Sequence, residues 1–144
     1  MDDVIAGSLT PYLKSQEPFK NVGGDIVHVV GTNFEELVLD ESKDVFLMYY
    51  APWCGHCSSF RPTWTDLGRE YRDTDDLVIA MYDQTANEAE KGWPVTSFPT
   101  LVYYGKDNKG GEAYQGAREP DALTTYIQDK RIRARTEEFA KEDL

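Results

Sequence analysis

In 144 residues, 15 Lys and Arg stand against 26 Asp and Glu, a net charge of -11; so acidic a chain offers no positive field for phosphates, which excludes a nucleic-acid binder. Hydrophobic residues make up 40% and aromatics 12%, enough for one buried core without staples and too much for disorder. No apolar run approaches the roughly 18 residues that span a bilayer, and Met1-Asp2-Asp3 opens no signal peptide.

Residues 1–24 read as a connector: Pro11, Pro18, Gly23-Gly24 and scattered polar residues give no sustained period. Ile26, Val27, Val29 and Val30 form a short β-branched strand in which His28 reads as structural. Thr32-Asn33-Phe34-Glu35 has the pattern of a capping box for a helix through about Asp40. Val45-Phe46-Leu47-Met48-Tyr49-Tyr50-Ala51 is nearly continuous in apolar residues, as expected of a central strand covered on both faces. It delivers the chain to Trp53-Cys54-Gly55-His56-Cys57. Phe60, Trp64, Leu67 and Tyr71 then recur at helical spacing along a helix from about Cys54 to Arg72, kinked at Pro62. Leu77-Val78-Ile79-Ala80-Met81-Tyr82 predicts the next buried strand, and Asn87 to Lys91 a short helix.

Phe98-Pro99 opens the following apolar strand, at the kind of sharp turn where a cis X-Pro bond occurs. Lys109-Gly110-Gly111 predicts a hairpin turn between Tyr104 and a strand at Ala113-Tyr114. Glu119-Pro120 starts a last helix with Leu123, Tyr126 and Ile127 on one face. The order strand-helix-strand-helix-strand-helix-strand-strand-helix implies an α/β sandwich around a mixed sheet.

Cys54 and Cys57 are the only cysteines, placed where a strand passes into a helix. Unpaired N–H groups and aligned peptide dipoles at a helix N-terminus stabilise a thiolate and can lower its pKa from about 8.5 to roughly 3.5–7.5. Cys54 as exposed nucleophile and Cys57 as resolving thiol, one turn further in, make a pair that opens and closes a disulfide with a substrate. A zinc site needs four ligands, and beyond the cysteines only His56 and His28 are on offer. A structural disulfide closing so short a loop would be a poor staple. Trp53 reads equally as core or as a contact surface beside the attacking sulfur.

Ala51-Pro52-Trp53-Cys54-Gly55-His56-Cys57, Ser97-Phe98-Pro99-Thr100-Leu101 and Tyr114-Gln115-Gly116-Ala117-Arg118 resemble three signatures of the thioredoxin superfamily, and specifically of protein disulfide isomerases. Leu9-Thr10-Pro11-Tyr12-Leu13-Lys14-Ser15 resembles the connector that precedes the C-terminal catalytic domain of that family, and residues 31–43 resemble that domain itself. The resemblance implies a thioredoxin fold, a central mixed sheet flanked by helices on both faces, with a connector at 1–24, the catalytic domain at 25–133 and a charged tail at 134–144. It implies a protein disulfide isomerase that forms, reduces and rearranges disulfides in folding secretory proteins. A thioredoxin-like reductant of one partner, or a chaperone module with an apolar rim of Trp53, Trp93 and Phe98, is the alternative.

In that reading the redox-active cysteine pair replaces any cofactor or metal, and Gly55 and His56 belong to the site. The imidazole next to the Cys54 thiolate favours the reduced form, so the disulfide oxidises others more readily. Pro99 resembles the cis-proline facing the cysteines, where an extended substrate segment pairs with the backbone. Arg118 resembles the arginine that lowers the Cys57 pKa. Partners would be unfolded or misoxidised secretory proteins, with glutathione or an oxidase of the endoplasmic reticulum as redox partner, and the chain a monomeric piece of a larger multidomain protein in that lumen. Lys141-Glu142-Asp143-Leu144 resembles a retrieval signal with its middle acids exchanged. Two departures stand out: Met48 and Met81 occupy the positions of the family's buried glutamate and lysine, and Ser58 replaces a common lysine. Proton transfer at Cys57 must then use water, His56 or another group, and the resolving step is expected to be slower than with the glutamate.

Overall fold

The computed structural model describes residues 14–19 and 25–142, with side chains through Ile132. The connector positions before Lys14, the Gly23-Gly24 pair and the last two residues of the tail lie outside them.

Strand β2 (Asp44–Tyr50) is the axis of the molecule. Its residues alternate between two cores: Phe46 and Met48 join one, and Val45, Leu47 and Tyr49 the other. With both faces covered, no position can be polar except at the ends, which is why the strand reads as an unbroken apolar run. It pairs in parallel with β3 (Leu77–Asp83) and antiparallel with β4 (Thr100–Gly105). The edges are β1 (Val27–Val29), parallel to β3, and β5 (Asn108–Ala113), antiparallel to β4, giving the order β1-β3-β2-β4-β5. Helix α1 (Phe34–Val38) buries Phe34 and Val38 against one face. Helices α2 (Gly55–Tyr71) and α3 (Pro120–Glu142) cover the other through Phe60, Trp64, Leu67, Leu123 and Ile127. This is the thioredoxin fold, a mixed sheet between helices.

Trp64 anchors α2: it is fully buried and its indole N–H donates to the Ala80 carbonyl at 2.9 Å. Removing roughly 200 Å² of aromatic surface from water is worth on the order of 5 kcal/mol. Pro62 lies inside this helix, as the sequence requires.

Three expectations are corrected. No helix forms at 87–91. Asn87, 1% exposed, instead accepts from the Gln16 and Gly31 N–H groups at 2.8 and 3.0 Å, and donates to Gln16 Oε1 at 2.8 Å and the Asp83 carbonyl at 3.0 Å. Side-chain bonds of this kind compete with a helix for the backbone. They tie residues 14–16 to the body, with the Lys14 N–H donating to Glu88 Oε1 and the Glu88 N–H to the Lys14 carbonyl. Second, Lys109, Gly110 and Gly111 lie within β5, and the chain turns at Lys106 and Asp107. Gly111 sits at φ 84° beside a register shift, where a Cβ would meet Val102 Cγ1 at 2.8 Å and Tyr104 Cε1 at 2.9 Å; it serves a bulge, not a turn. Third, Thr32 and Glu35 make no capping box. A short 3₁₀ turn (Gly31–Asn33) leads into α1, and Asn33 Oδ1 accepts from the Val30 N–H at 2.8 Å. Helix α3 runs on through Glu142.

Candidate active site

As β2 ends, the Cys54 N–H closes a turn on the Ala51 carbonyl at 3.1 Å, and Cys54 then caps α2 in extended conformation (φ -82°, ψ 116°). Its Sγ takes the place of a capping oxygen and accepts the Cys57 N–H at 3.2 Å. Cys57, one turn on, faces the same cluster, with Ala51, Tyr50 and Phe98 around the two sulfurs. Both cysteines are free thiols.

Exposure does not separate nucleophile from resolving thiol: Cys54 is 7% exposed and Cys57 4%, so the expectation of an exposed Cys54 is corrected. Electrostatics separates them. The Cys57 thiol, the N–H groups of Cys57 and His56 and the Arg118 charge draw Cys54 below its ordinary value, against the opposing effect of burial. Burial first, then the hydrogen bond to Cys54 and the charge there, push Cys57 up to about 11, with Arg118 opposing. One sulfur is prepared to be a thiolate and its neighbour to keep its proton.

Arg118 reaches this pair from the loop before α3. Its Nη2 donates to the Pro99 carbonyl at 3.0 Å and its guanidinium carbon lies 5.9 Å from the centre of the Phe60 ring. The Phe98-Pro99 bond is cis. Trp53 is 73% exposed and meets Phe98 edge-on, ring centres 5.6 Å apart, so it is surface and not core. His56 is exposed on the first turn of α2. Gly55 has no steric duty, since a Cβ there would meet nothing within 4 Å. Trp93 is not brought to the cysteines. It packs against the α1-side core, its backbone N–H donating to Tyr49 Oη at 3.0 Å.

Met48 and Met81 face each other in register across β2 and β3, 0% and 2% exposed. The sequence reading passed over Tyr50 and Asp83, which close these strands opposite one another; the available signal was an acid ending an otherwise apolar strand. Among the described residues no cluster of three or more His, Cys, Asp or Glu could hold a metal ion. A cavity of 260 Å³ lined by Asp25, Lys43, Tyr71 and Arg72 includes neither cysteine.

Residues 25–129 match the Thioredoxin family. The chain is 40% identical over 129 residues to a protein disulfide-isomerase of Saccharomyces cerevisiae, covering 88% of this chain and 24% of that protein. It is 45% identical over 108 residues to protein disulfide isomerase-like 1-3 of Arabidopsis thaliana, covering 75% and 18%. The first thioredoxin domain of mouse protein disulfide-isomerase A4 superposes with a TM-score of 0.62 at 26% identity, over 81% of this chain and 79% of that one. The chain thus spans about a quarter or less of these two full-length relatives. It belongs to the thioredoxin family, as a domain related to the protein disulfide isomerases.

Proposed function

We propose that the domain is a thiol-disulfide oxidoreductase and isomerase for secretory proteins in the endoplasmic reticulum, the C-terminal catalytic domain of a protein disulfide isomerase. The observation that carries this is the placement of the two sulfurs one helical turn apart at the start of α2, Cys54 Sγ capping the helix by accepting the Cys57 N–H at 3.2 Å, beside the cis Phe98-Pro99 bond; the downward shift of Cys54 and the upward shift of Cys57 agree with it. In the reduced pair the Cys54 thiolate attacks a substrate disulfide and holds one sulfur as a mixed disulfide. Cys57 then displaces the substrate from Cys54, or the substrate's own thiol does so and isomerisation results. In the oxidised pair a substrate thiolate attacks Cys54, and the two electrons end on Cys57. Trp53, Phe98 and the Pro99 backbone form the surface on which an extended segment would lie. Glutathione or an oxidase would reset the pair, and no further cofactor is needed.

The exposed Trp53, edge-on to a half-buried Phe98, also favours a second reading, a surface that holds unfolded chains without chemistry. Cys54→Ser separates the two. Exchange with a scrambled disulfide substrate should fall at least about a thousandfold, while suppression of aggregation should persist. The reduction potential, followed by Trp53 fluorescence in glutathione buffers, distinguishes oxidase and isomerase work, near about -180 mV, from a dedicated reductant near about -270 mV. A pair that never exchanges would leave only the binding surface.

A further inference from the structure

Cys57 cannot attack until it loses the proton that burial and Cys54 hold on it. Met48 and Met81, buried in mid-strand, accept no proton. Among the described residues two carboxylates are buried, Asp44 and Asp83. Asp44 opens β2, about 20 Å of strand away from the motif, and is committed to Arg131, Tyr103 and the Lys106 N–H. Asp83 closes β3 at the end where β2 hands the chain to Cys54, directly across from Tyr50.

Tyr50 links the two chemistries. It packs against the cluster of Ala51, Cys54 and Cys57. After burial, negative charge on Asp83 and on Cys57 both raise its proton affinity, with Arg61 opposing, so it stands within electrostatic reach of carboxylate and thiol together. Among the described residues its hydroxyl has no hydrogen-bond partner. Asp83 commits only Oδ1, to the Thr85 N–H at 2.9 Å and the Thr85 hydroxyl at 2.6 Å, which leaves Oδ2 for a proton.

We propose that Asp83 is the proton acceptor of the resolving step, reached from Cys57 through the Tyr50 hydroxyl, so that Tyr50 takes the proton of the reacting thiol and Asp83 acts through it. The assignment rests on the oxidoreductase reading above. As the Cys57 S–H proton passes to the Tyr50 oxygen, the Tyr50 proton passes to Asp83, and Tyr50 never carries charge; burial disfavours a phenolate and therefore a stepwise route. The Cys57 sulfur bonds to Cys54 Sγ and the bond between Cys54 and the substrate sulfur breaks. The electron pair leaves on that sulfur, which takes up a proton released from Asp83 through solvent. The cysteine pair is oxidised and the substrate sulfur reduced. The charged and titratable groups around the relay are Cys54 and Arg118 about Cys57, Arg61 about Tyr50, and Tyr82 about Asp83.

The test is a single turnover. An aromatic disulfide reagent forms a mixed disulfide at Cys54, and release of the aromatic thiolate by Cys57 is followed by absorbance between about pH 6 and 10. Asp83→Asn keeps an acceptor for Thr85 and should slow release roughly tenfold to a hundredfold at neutral pH. The deficit should close as pH rises toward the Cys57 value, where solvent base takes over. Tyr50→Phe should show the same deficit and the same closure, and the double variant should be no slower than either single one. Formation of the mixed disulfide should be unchanged. Release at the wild-type rate in both variants, or a slowing that is independent of pH, overturns the assignment; should the Asn variant not fold, Tyr50→Phe decides alone. A chain that forms no mixed disulfide at Cys54 would instead sink the oxidoreductase reading itself.

Discussion

Asp44 and Asp83 are buried almost equally, 7% and 6% exposed, at opposite ends of neighbouring parallel strands, and they keep opposite company. Asp44 has both oxygens engaged. The Tyr103 hydroxyl and Arg131 Nη1 each donate to Oδ2 at 3.0 Å, and the Lys106 N–H donates to Oδ1 at 2.8 Å. Arg131 continues to Asp76 at 2.6 Å, and Lys106 Nζ reaches the same carboxylate. Asp83 has only a threonine, and among the described residues no cation pairs with it. A buried carboxylate engaged at both oxygens and paired with a cation fastens α3 to the sheet, whereas one engaged at a single oxygen retains chemical capacity. Stability is concentrated at one end of the sheet and reactivity at the other.

The sharpest way to break this division is Asp44→Ala. It takes one of the two carboxylates that hold Arg131 and removes the acceptor of the buried Tyr103 hydroxyl, and should cost about 1–3 kcal/mol in urea unfolding while leaving the rate of Cys54 alkylation unchanged. A loss below about 1 kcal/mol would mean that the clasp does not carry the stability assigned to it.

Acid probes the same end more gently. Lys106 first, then Arg131, hold Asp76 down at about 2 by hydrogen bonding. Its folded value thus lies below its unfolded one, so its contribution is complete above about pH 4 and is lost as pH falls toward about 2. With a side chain 38% exposed, screening limits that contribution to about 1 kcal/mol. Urea midpoints for wild type and Asp76→Asn should converge over this window and stay apart above it.

The smallest stability effect belongs to the reactive end. Trp53→Ala removes a ring that is 73% exposed and should change stability by less than about 1 kcal/mol. Binding of an unfolded peptide, measured by calorimetry, should still weaken several-fold. Unaltered peptide affinity would remove Trp53 from the contact surface.

What could be read in advance follows the range of the forces involved. The apolar run of β2, the stripe Phe60, Trp64 and Leu67, and the cysteine pair at the strand-to-helix junction are local patterns, and each stands where its spacing puts it. Asn87 spends its side chain on Gln16, 71 residues away, and Arg131 on Asp44, 87 residues away; nothing in a short window marks either. Gly111 misled because glycine serves turns and bulges equally well, and the deciding contacts come from Val102 and Tyr104 on the neighbouring strand. Tyr50 and Asp83 were illegible for a related reason, since only the parallel pairing of β2 with β3 sets one beside the other. Trp93 lies in the loop before β4, and its packing depends on Tyr49, 44 residues away, which no short window marks.

The tie between residues 14–16 and Asn87 bears on where this domain can be cut. The stretch shared with the Thioredoxin family begins at residue 25 and ends at 129. A gene trimmed to those borders would discard both Gln16 contacts of Asn87 and the whole of Arg131. The excised piece would retain both cysteines and the cis-proline yet carry a buried amide short of partners at one end and a buried carboxylate without its cation at the other. The unit that folds is therefore longer at both ends than the stretch matched by the Thioredoxin family.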